Sequence, residues 1–280
     1  MKLAYAISAS ATRFAAVAQG RRLPEAIRHL SGLGYAGVEL AIRDPGQVDL
    51  DEIAVCARAA GVVVPAIGTG QAFLEEGLAL AATDETVRVA AVARLEAQLV
   101  AAHRLSALLI VGLIHGPIPP DADRERAMDW LLAGLARVSR RAGELGVRIV
   151  IEPINRYESN WLNTVGEVMD LIRRLGVDNV GVLPDTFHMN IEERDIGAAI
   201  EEARPRLWHV HVADSNRRAP GAGHIDFRGI VSRLRAIGYG ATVSAEILPL
   251  PSFEAAAAQT IEAMRPLLGL PAEPQRDSRT

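Results

Sequence analysis

Eight short apolar runs recur along the chain, each followed by a longer amphipathic stretch, and this alternation constrains the fold more than any single motif. The runs read KLAYAIS (2–8), GVELA (37–41), VVVPAIG (62–68), ALLIVGLI (107–114), VRIVIEP (147–153), VGVLPD (180–185), LWHVHVAD (207–214) and ATVSAEIL (241–248). Apolar runs of this length fit strands buried on both faces. Helical patterning fills the stretches near 23–33, 49–60, 83–105, 123–145, 164–175, 195–203, 227–237 and 252–267. Eight strand–helix repeats in under 270 residues predict an α/β fold, a closed parallel (β/α)8 TIM barrel, rather than an open sheet.

Gly34, Gly61, Gly146, Gly176 and Gly238 fall where five of these helices end, positions that favour a left-handed residue. No composition break divides the chain, so residues 1–270 are expected to form one catalytic domain. PAEPQRDSRT at 271–280 has the proline and charge content of a flexible C-terminal tail.

Among the 280 residues, 30 Lys and Arg against 34 Asp and Glu give a net charge of −4, which supplies no general attraction for nucleic acid or an anionic membrane. The expected partner is a small molecule. Ser8, Ser10, Thr12 and Arg13 interrupt the apolar segment a secretory signal would need, and no run approaches the roughly 18 residues of a membrane span, so a cytoplasmic location is expected. Cys56 is the sole cysteine, which excludes an internal disulfide or a thiolate cluster, and it reads as a small packed residue of a helix.

In such a barrel the chemistry sits where the strands end at their C-terminal side. The last four runs place Glu152, Asp185, His211 and Glu246 there. Side chains alternate along a strand, so Glu246 shares a face with Ser244 and Thr242, while Val243, Ala245 and Ile247 point toward the helices. His209 shares a face with His211, one layer deeper, and reads as structural. Three carboxylates and one imidazole form an oxygen-rich set suited to Mn²⁺, Mg²⁺ or Co²⁺, and a divalent cation would offset the repulsion among the carboxylates. The alternative is that each acid caps a following helix or pairs with a nearby arginine.

IEPINRYE (151–158), LPDTFHMNIEE (183–193), HVHVADSNRRAPGAGHIDF (209–227) and SAEIL (244–248) resemble the ketose 3-epimerase branch of the xylose-isomerase-like TIM barrels, which includes D-tagatose and D-allulose 3-epimerases. The likeness runs from about Lys2 to Leu267. IRDPGQVD (42–49) and AIGTGQAFLEEGLAL (66–80) are more similar to 5-keto-L-gluconate epimerases. The resemblance implies that Glu152, Asp185, His211 and Glu246 bind one divalent metal, Mn²⁺ or alternatively Mg²⁺ or Co²⁺, and that Glu152 and Glu246 also form the acid/base pair. The implied activity inverts C3 of a ketose or keto-sugar acid through an enediolate, one glutamate removing the proton and the other returning it from the far side.

By the same resemblance Glu158, His188 and Arg217 hold the substrate. Arg218, beside Arg217, is a candidate cation for a substrate carboxylate. Each has an alternative: Glu158 as a solvated loop acid, His188 as a packed residue, Arg217 as a partner of Asp214, Arg218 as a solvated charge. Relatives of this kind imply a homodimer or homotetramer. Two rival activities stay open: aldose–ketose isomerisation, which uses the same enediolate, and an endonuclease IV-type nuclease, which uses three zinc ions and more histidines than the motifs supply.

Overall fold

The computed structural model describes residues 1–18 and 22–271. The tail expected at 271–280 lies outside the described residues except for its first residue. Eight parallel strands form the sheet: β1 (Lys2–Ser8), β2 (Gly37–Ala41), β3 (Ala66–Gly68), β4 (Leu108–Val111), β5 (Ile149–Ile151), β6 (Val180–Val182), β7 (Val210–Val212) and β8 (Thr242–Ala245). Neighbours in sequence pair from β1 to β6 and from β7 to β8, and β1 also pairs with β8, Leu3 opposite Val243. Between β6 and β7 the circle is closed by two isolated bridges, Val182 with Leu207 and Asp185 with His211. The expected (β/α)8 barrel is the observed one.

Ten helices surround it among the described residues: α1 (Leu23–Leu33), α2 (Leu50–Ala59), α3 (Gly70–Glu76), α4 (Glu85–Leu105), α5 (Arg124–Glu144), α6 (Val165–Leu175), α7 (Thr186–Glu192), α8 (Ile196–Ala203), α9 (Phe227–Ala236) and α10 (Phe253–Leu268). Eight match the amphipathic stretches. Side-chain caps start all of these but α1: Asp123 accepts from Arg126 N, Asp195 from Ala198 N, and Ser252 from Ala255 N, for example. All five glycines expected at helix ends have positive φ, between 65° and 94°. The other two helices, α3 and α7, are seven-residue additions in the loops after β3 and β6, at the end of the barrel where the strands terminate.

Strand parity divides the core. Val38, Leu40, Leu109, Val111, Ile149, Ile151, Val210, Val212, Val243 and Ala245 join the large apolar layer beneath the helices. Ala66, Ile110, Val150 and Leu183 fill the lumen as a separate small cluster, with Leu108 and Trp208 packed on it. Positions two residues beyond Val150 and Leu183 are Glu152 and Asp185, so the parity that buries the lumen also points these acids up its axis.

From β3 onward the strands are shorter than the apolar runs. Glu152 and Glu246 each lie one residue past their strand, and Asp185 caps α7.

A candidate metal centre at the barrel mouth

Glu152, Asp185, His211 and Glu246 are all buried, and one ligand atom from each lies within 4.8 Å of the other three. The backbone N–H of Glu152 donates to Val111 O at 3.1 Å, which anchors the end of β5 on β4. Gly112 makes room for its carboxylate: a Cβ at that position would stand 2.8 Å from Glu152 Oε2. Asp185 divides its oxygens, Oδ1 accepting from Phe187 N at 2.7 Å as the cap of α7 while Oδ2 faces the cluster. Thus the helix-cap role and the site role coexist in one residue.

His211 Nδ1 lies 3.3 Å from Glu152 Oε1 and 3.9 Å from Asp185 Oδ2. Its other nitrogen, Nε2, donates at 2.9 Å to Glu39 Oε1. Glu39 lies on β2, inside the run GVELA, and is not among the candidate site residues read from the sequence.

Three buried polar atoms in this cluster lack a hydrogen-bond partner: Glu152 Oε1, Asp185 Oδ2 and His211 Nδ1. Native structures rarely leave such atoms unpaired, and here three of them converge. The donor set, three carboxylates and an imidazole with bare atoms directed at one point, fits a divalent cation.

The electrostatics agree. Burial pushes the Asp185 carboxyl up to about 6, with Glu152 adding to the rise and His211 and Arg217 opposing it. Burial likewise raises Glu246 to about 8, with Glu152 and Asp185 contributing and His211 and Arg217 opposing. Without a cation, the pocket disfavours the ionised acids it holds.

Around the cluster runs a hydrogen-bonded chain of side chains. Asn155 Nδ2 donates to His188 Nδ1 at 2.7 Å and to Glu158 Oε1 at 2.8 Å. Arg217 Nη1 donates to the same Glu158 oxygen at 2.8 Å, and its Nη2 reaches Glu246 Oε2 at 3.5 Å. His188 Nε2 faces Glu152 Oε1 at 3.9 Å. Burial, with Arg217 and His211 nearby, holds the His188 imidazole well below its usual value, so it is neutral. The Arg217 guanidinium also stands over the rings of Phe187 and Phe14, at 5.0 and 5.7 Å from their centroids. Arg217 itself has φ +57°, an uncommon conformation for a residue with a Cβ.

Arg217 pairs with Glu158 and Glu246 and not with Asp214. The Asp214 carboxylate is spent on the loop backbone, accepting from Ser215 N, Gly221 N and Ile225 N. Arg218 is exposed, and the cavity at the mouth is lined without it. Of the substrate-binding candidates read from the sequence, the structure brings Glu158, His188 and Arg217 to the cluster and leaves Arg218, expected there as a cation for a substrate carboxylate, in solvent. Gln71, on α3, lines the cavity too and has a buried Oε1 without a partner. His115 is buried elsewhere, bonding Gly116 O.

The mouth cavity is lined by Phe14, Gln71, Glu152, His188, Arg217 and Glu246 among others and encloses only about 30 Å³. A larger cavity of about 590 Å³ opens at the opposite end of the barrel, where the strands begin, beside Lys2, Arg148 and Trp208. Glu152, Asp185 and Glu246 do not line it, although His209 does.

The barrel thus carries three acids and a histidine at its mouth, contributed by β5 to β8 or by the residues just beyond them. The chain matches the family model described as xylose isomerase-like TIM barrel over residues 27–267, and it belongs to that family. It is 34% identical over 227 residues to a D-psicose 3-epimerase of Agrobacterium fabrum, covering 79% of this chain and 77% of that one. An L-ribulose 3-epimerase of Mesorhizobium japonicum is 33% identical over 216 residues, covering 76% and 71%. Among solved structures, the D-psicose 3-epimerase of Clostridium cellulolyticum H10 with D-tagatose superposes with a TM-score of 0.82 at 25% identity, over 96% of this chain and 99% of that one. These relatives are sugar epimerases, which places this enzyme among the isomerases acting on carbohydrates.

Proposed function

We propose that the protein is a divalent-metal-dependent epimerase that inverts C3 of a ketose or keto-sugar acid, with residues 1–270 as its single catalytic domain. The observation that carries this reading is the convergence of Glu152 and Glu246 on one cluster with Asp185 and His211, three of whose buried polar atoms lack a partner. The names of the relatives support the choice of a ketose over an aldose.

When bound, a divalent ion such as Mn²⁺ would polarise the substrate carbonyl and offset the charge that develops as the adjacent carbon loses its proton. The chain's own residues supply the rest. Glu152 comes from the end of β5 and Glu246 from the end of β8. One takes the C3 proton and the other returns a proton from the opposite face, their roles exchanging in the reverse reaction. Arg217 holds Glu246 and Glu158 in place, and neutral His188 presents Nε2 as a donor to a substrate oxygen. Phe14, which lines the mouth cavity, and Phe187 lie under the Arg217 guanidinium and help to fix its position.

The test is hydrogen exchange in D₂O with metal-loaded enzyme on fructose, allulose, tagatose, 5-keto-L-gluconate and tagaturonate. Deuterium at C3 of an inverted product is the expected result and identifies the substrate class. Deuterium at C1 or C2 of an aldose product would reassign the activity to isomerisation.

A further inference from the structure

Glu39 lies on the lumen face of β2 and is 2% exposed. Both of its oxygens are occupied by imidazoles of β7 or its edge: His209 Nε2 at 2.6 Å on Oε2, and His211 Nε2 at 2.9 Å on Oε1. The two rings are edge-to-face with centroids 5.4 Å apart. A carboxylate accepts and does not donate, so each Nε2 carries the hydrogen. For a neutral His211 this leaves the lone pair on Nδ1, the atom that faces Glu152 and Asp185 with no partner of its own. Glu39 with His209 and His211 could also be read as a second cluster of metal ligands. Their polar atoms instead satisfy one another directly, with both carboxylate oxygens already bonded.

We infer that Glu39 is a positioning residue that fixes the tautomer and orientation of His211 so that Nδ1 is its metal-ligating atom, and that His209 buttresses Glu39 from the layer below. The inference rests on the metal site proposed above. Each member is placed by a different constraint: β2 carries the acid, β7 carries the ligand, and the two-residue repeat of the strand puts His209 on the same face as His211. Carboxylate partners of this kind raise the basicity of a ligating imidazole and restrict its rotation, and their loss typically weakens metal binding about 10–100-fold.

The experiment uses the full chain, stripped of metal and titrated with Mn²⁺ by calorimetry, together with ¹⁵N-histidine NMR of the Mg²⁺-loaded protein. Wild type should bind one ion and show His211 protonated at Nε2 and bare at Nδ1. Glu39→Gln offers one acceptor and one amide donor to two Nε2–H groups, so one ring loses its partner or changes tautomer. The variant should bind Mn²⁺ roughly 10–100-fold more weakly, with mixed His211 tautomers. His209→Gln, which keeps the Glu39–His211 bond, should lose less. A role in packing alone would lower the melting temperature without moving the tautomer or the affinity, and would overturn the inference. So would His211 protonated at Nδ1 in the loaded wild type, a measurement that needs no variant to fold. Wild type that binds no ion overturns the metal site itself, and is thereby distinguished from failure of the Glu39 role.

Discussion

Glu246 and Arg217 approach across the barrel mouth, Nη2 standing 3.5 Å from Oε2. Glu152 faces imidazoles instead, His211 Nδ1 at 3.3 Å and His188 Nε2 at 3.9 Å. The two glutamates proposed to exchange protons with the substrate thus sit in unlike surroundings, one beside a guanidinium and one beside two imidazoles.

Replacing either glutamate by glutamine keeps the shape and removes the proton. Glu152→Gln and Glu246→Gln should each lower the epimerisation rate by about 10²–10⁴-fold, with an unchanged far-ultraviolet circular dichroism spectrum. Chromatographic assay of ketose interconversion reads this directly, and near-normal kcat in either variant would remove the two-base assignment.

Metal removal and pH are linked through the same carboxylates. Asp185 is raised from 3.8 to about 6 and Glu246 from 4.5 to about 8 in the folded, metal-free chain. Groups whose folded values are raised contribute stability that is complete below their unfolded values and is lost as pH rises through the folded ones. The stripped protein should therefore lose melting temperature between about pH 5 and pH 8. An ion requires the deprotonated acids, so its stabilising increment should be larger at pH 8 than at pH 6, and reach roughly 5–10 °C at a hundredfold excess over Kd. Thermal melts with and without Mn²⁺ across this range test both slopes; an increment independent of pH would count against these acids as the ligands.

Arg217 combines a functional side chain with a left-handed backbone at φ +57°. Arg217→Ala and Arg217→Gly should both raise KM for the ketose, since both delete the guanidinium. The glycine variant should be more stable than the alanine variant by about 1 kcal/mol, because only glycine adopts this φ without steric cost. Denaturant melts separate the two effects. Equal stability would mean that the loop relaxes to another conformation.

Gly112 is the space into which the Glu152 carboxylate fits, and an added Cβ would come within 2.8 Å of Oε2. Gly112→Ala should leave the barrel folded while displacing that carboxylate, lowering kcat by up to about 10²-fold as expected of a shift near 1 Å. Mn²⁺ titration of the variant should show weakened binding alongside. Full affinity together with full activity would show that Glu152 relaxes without consequence.

Arg218 is exposed and outside the lining of the mouth. Arg218→Ala should keep kcat/KM within about twofold of wild type on neutral ketoses and on keto-acids alike, as surface substitutions usually do. A loss confined to keto-acids would restore this residue as the partner of a substrate carboxylate.

Much of this arrangement is visible in the sequence because barrel strands report their own ends: Glu152, Asp185, His211 and Glu246 are the polar residues at or just beyond the apolar runs, and two-residue alternation gives their direction. Glu39 is equally visible as an acid inside GVELA, yet its partners lie on β7, some 170 residues away, and no local pattern pairs them. Asn155 falls within the IEPINRYE segment, but its role depends on His188 from another loop. The helices α3 and α7 escape because seven residues make fewer than two turns, too short for a periodic signal. Arg217 could not be assigned to Glu158 over Asp214 from sequence, since the choice follows from how the loop after β7 spends the Asp214 oxygens on its own backbone.

The barrel is closed between β6 and β7 by two bridges only, and one of them joins Asp185 to His211. Both residues also belong to the proposed ion site, so a bound cation would act as a clasp across the weakest seam of the cylinder. Stripping the ion would then open the molecule at the place where it works, and mechanical integrity and turnover would be two readings of a single closure.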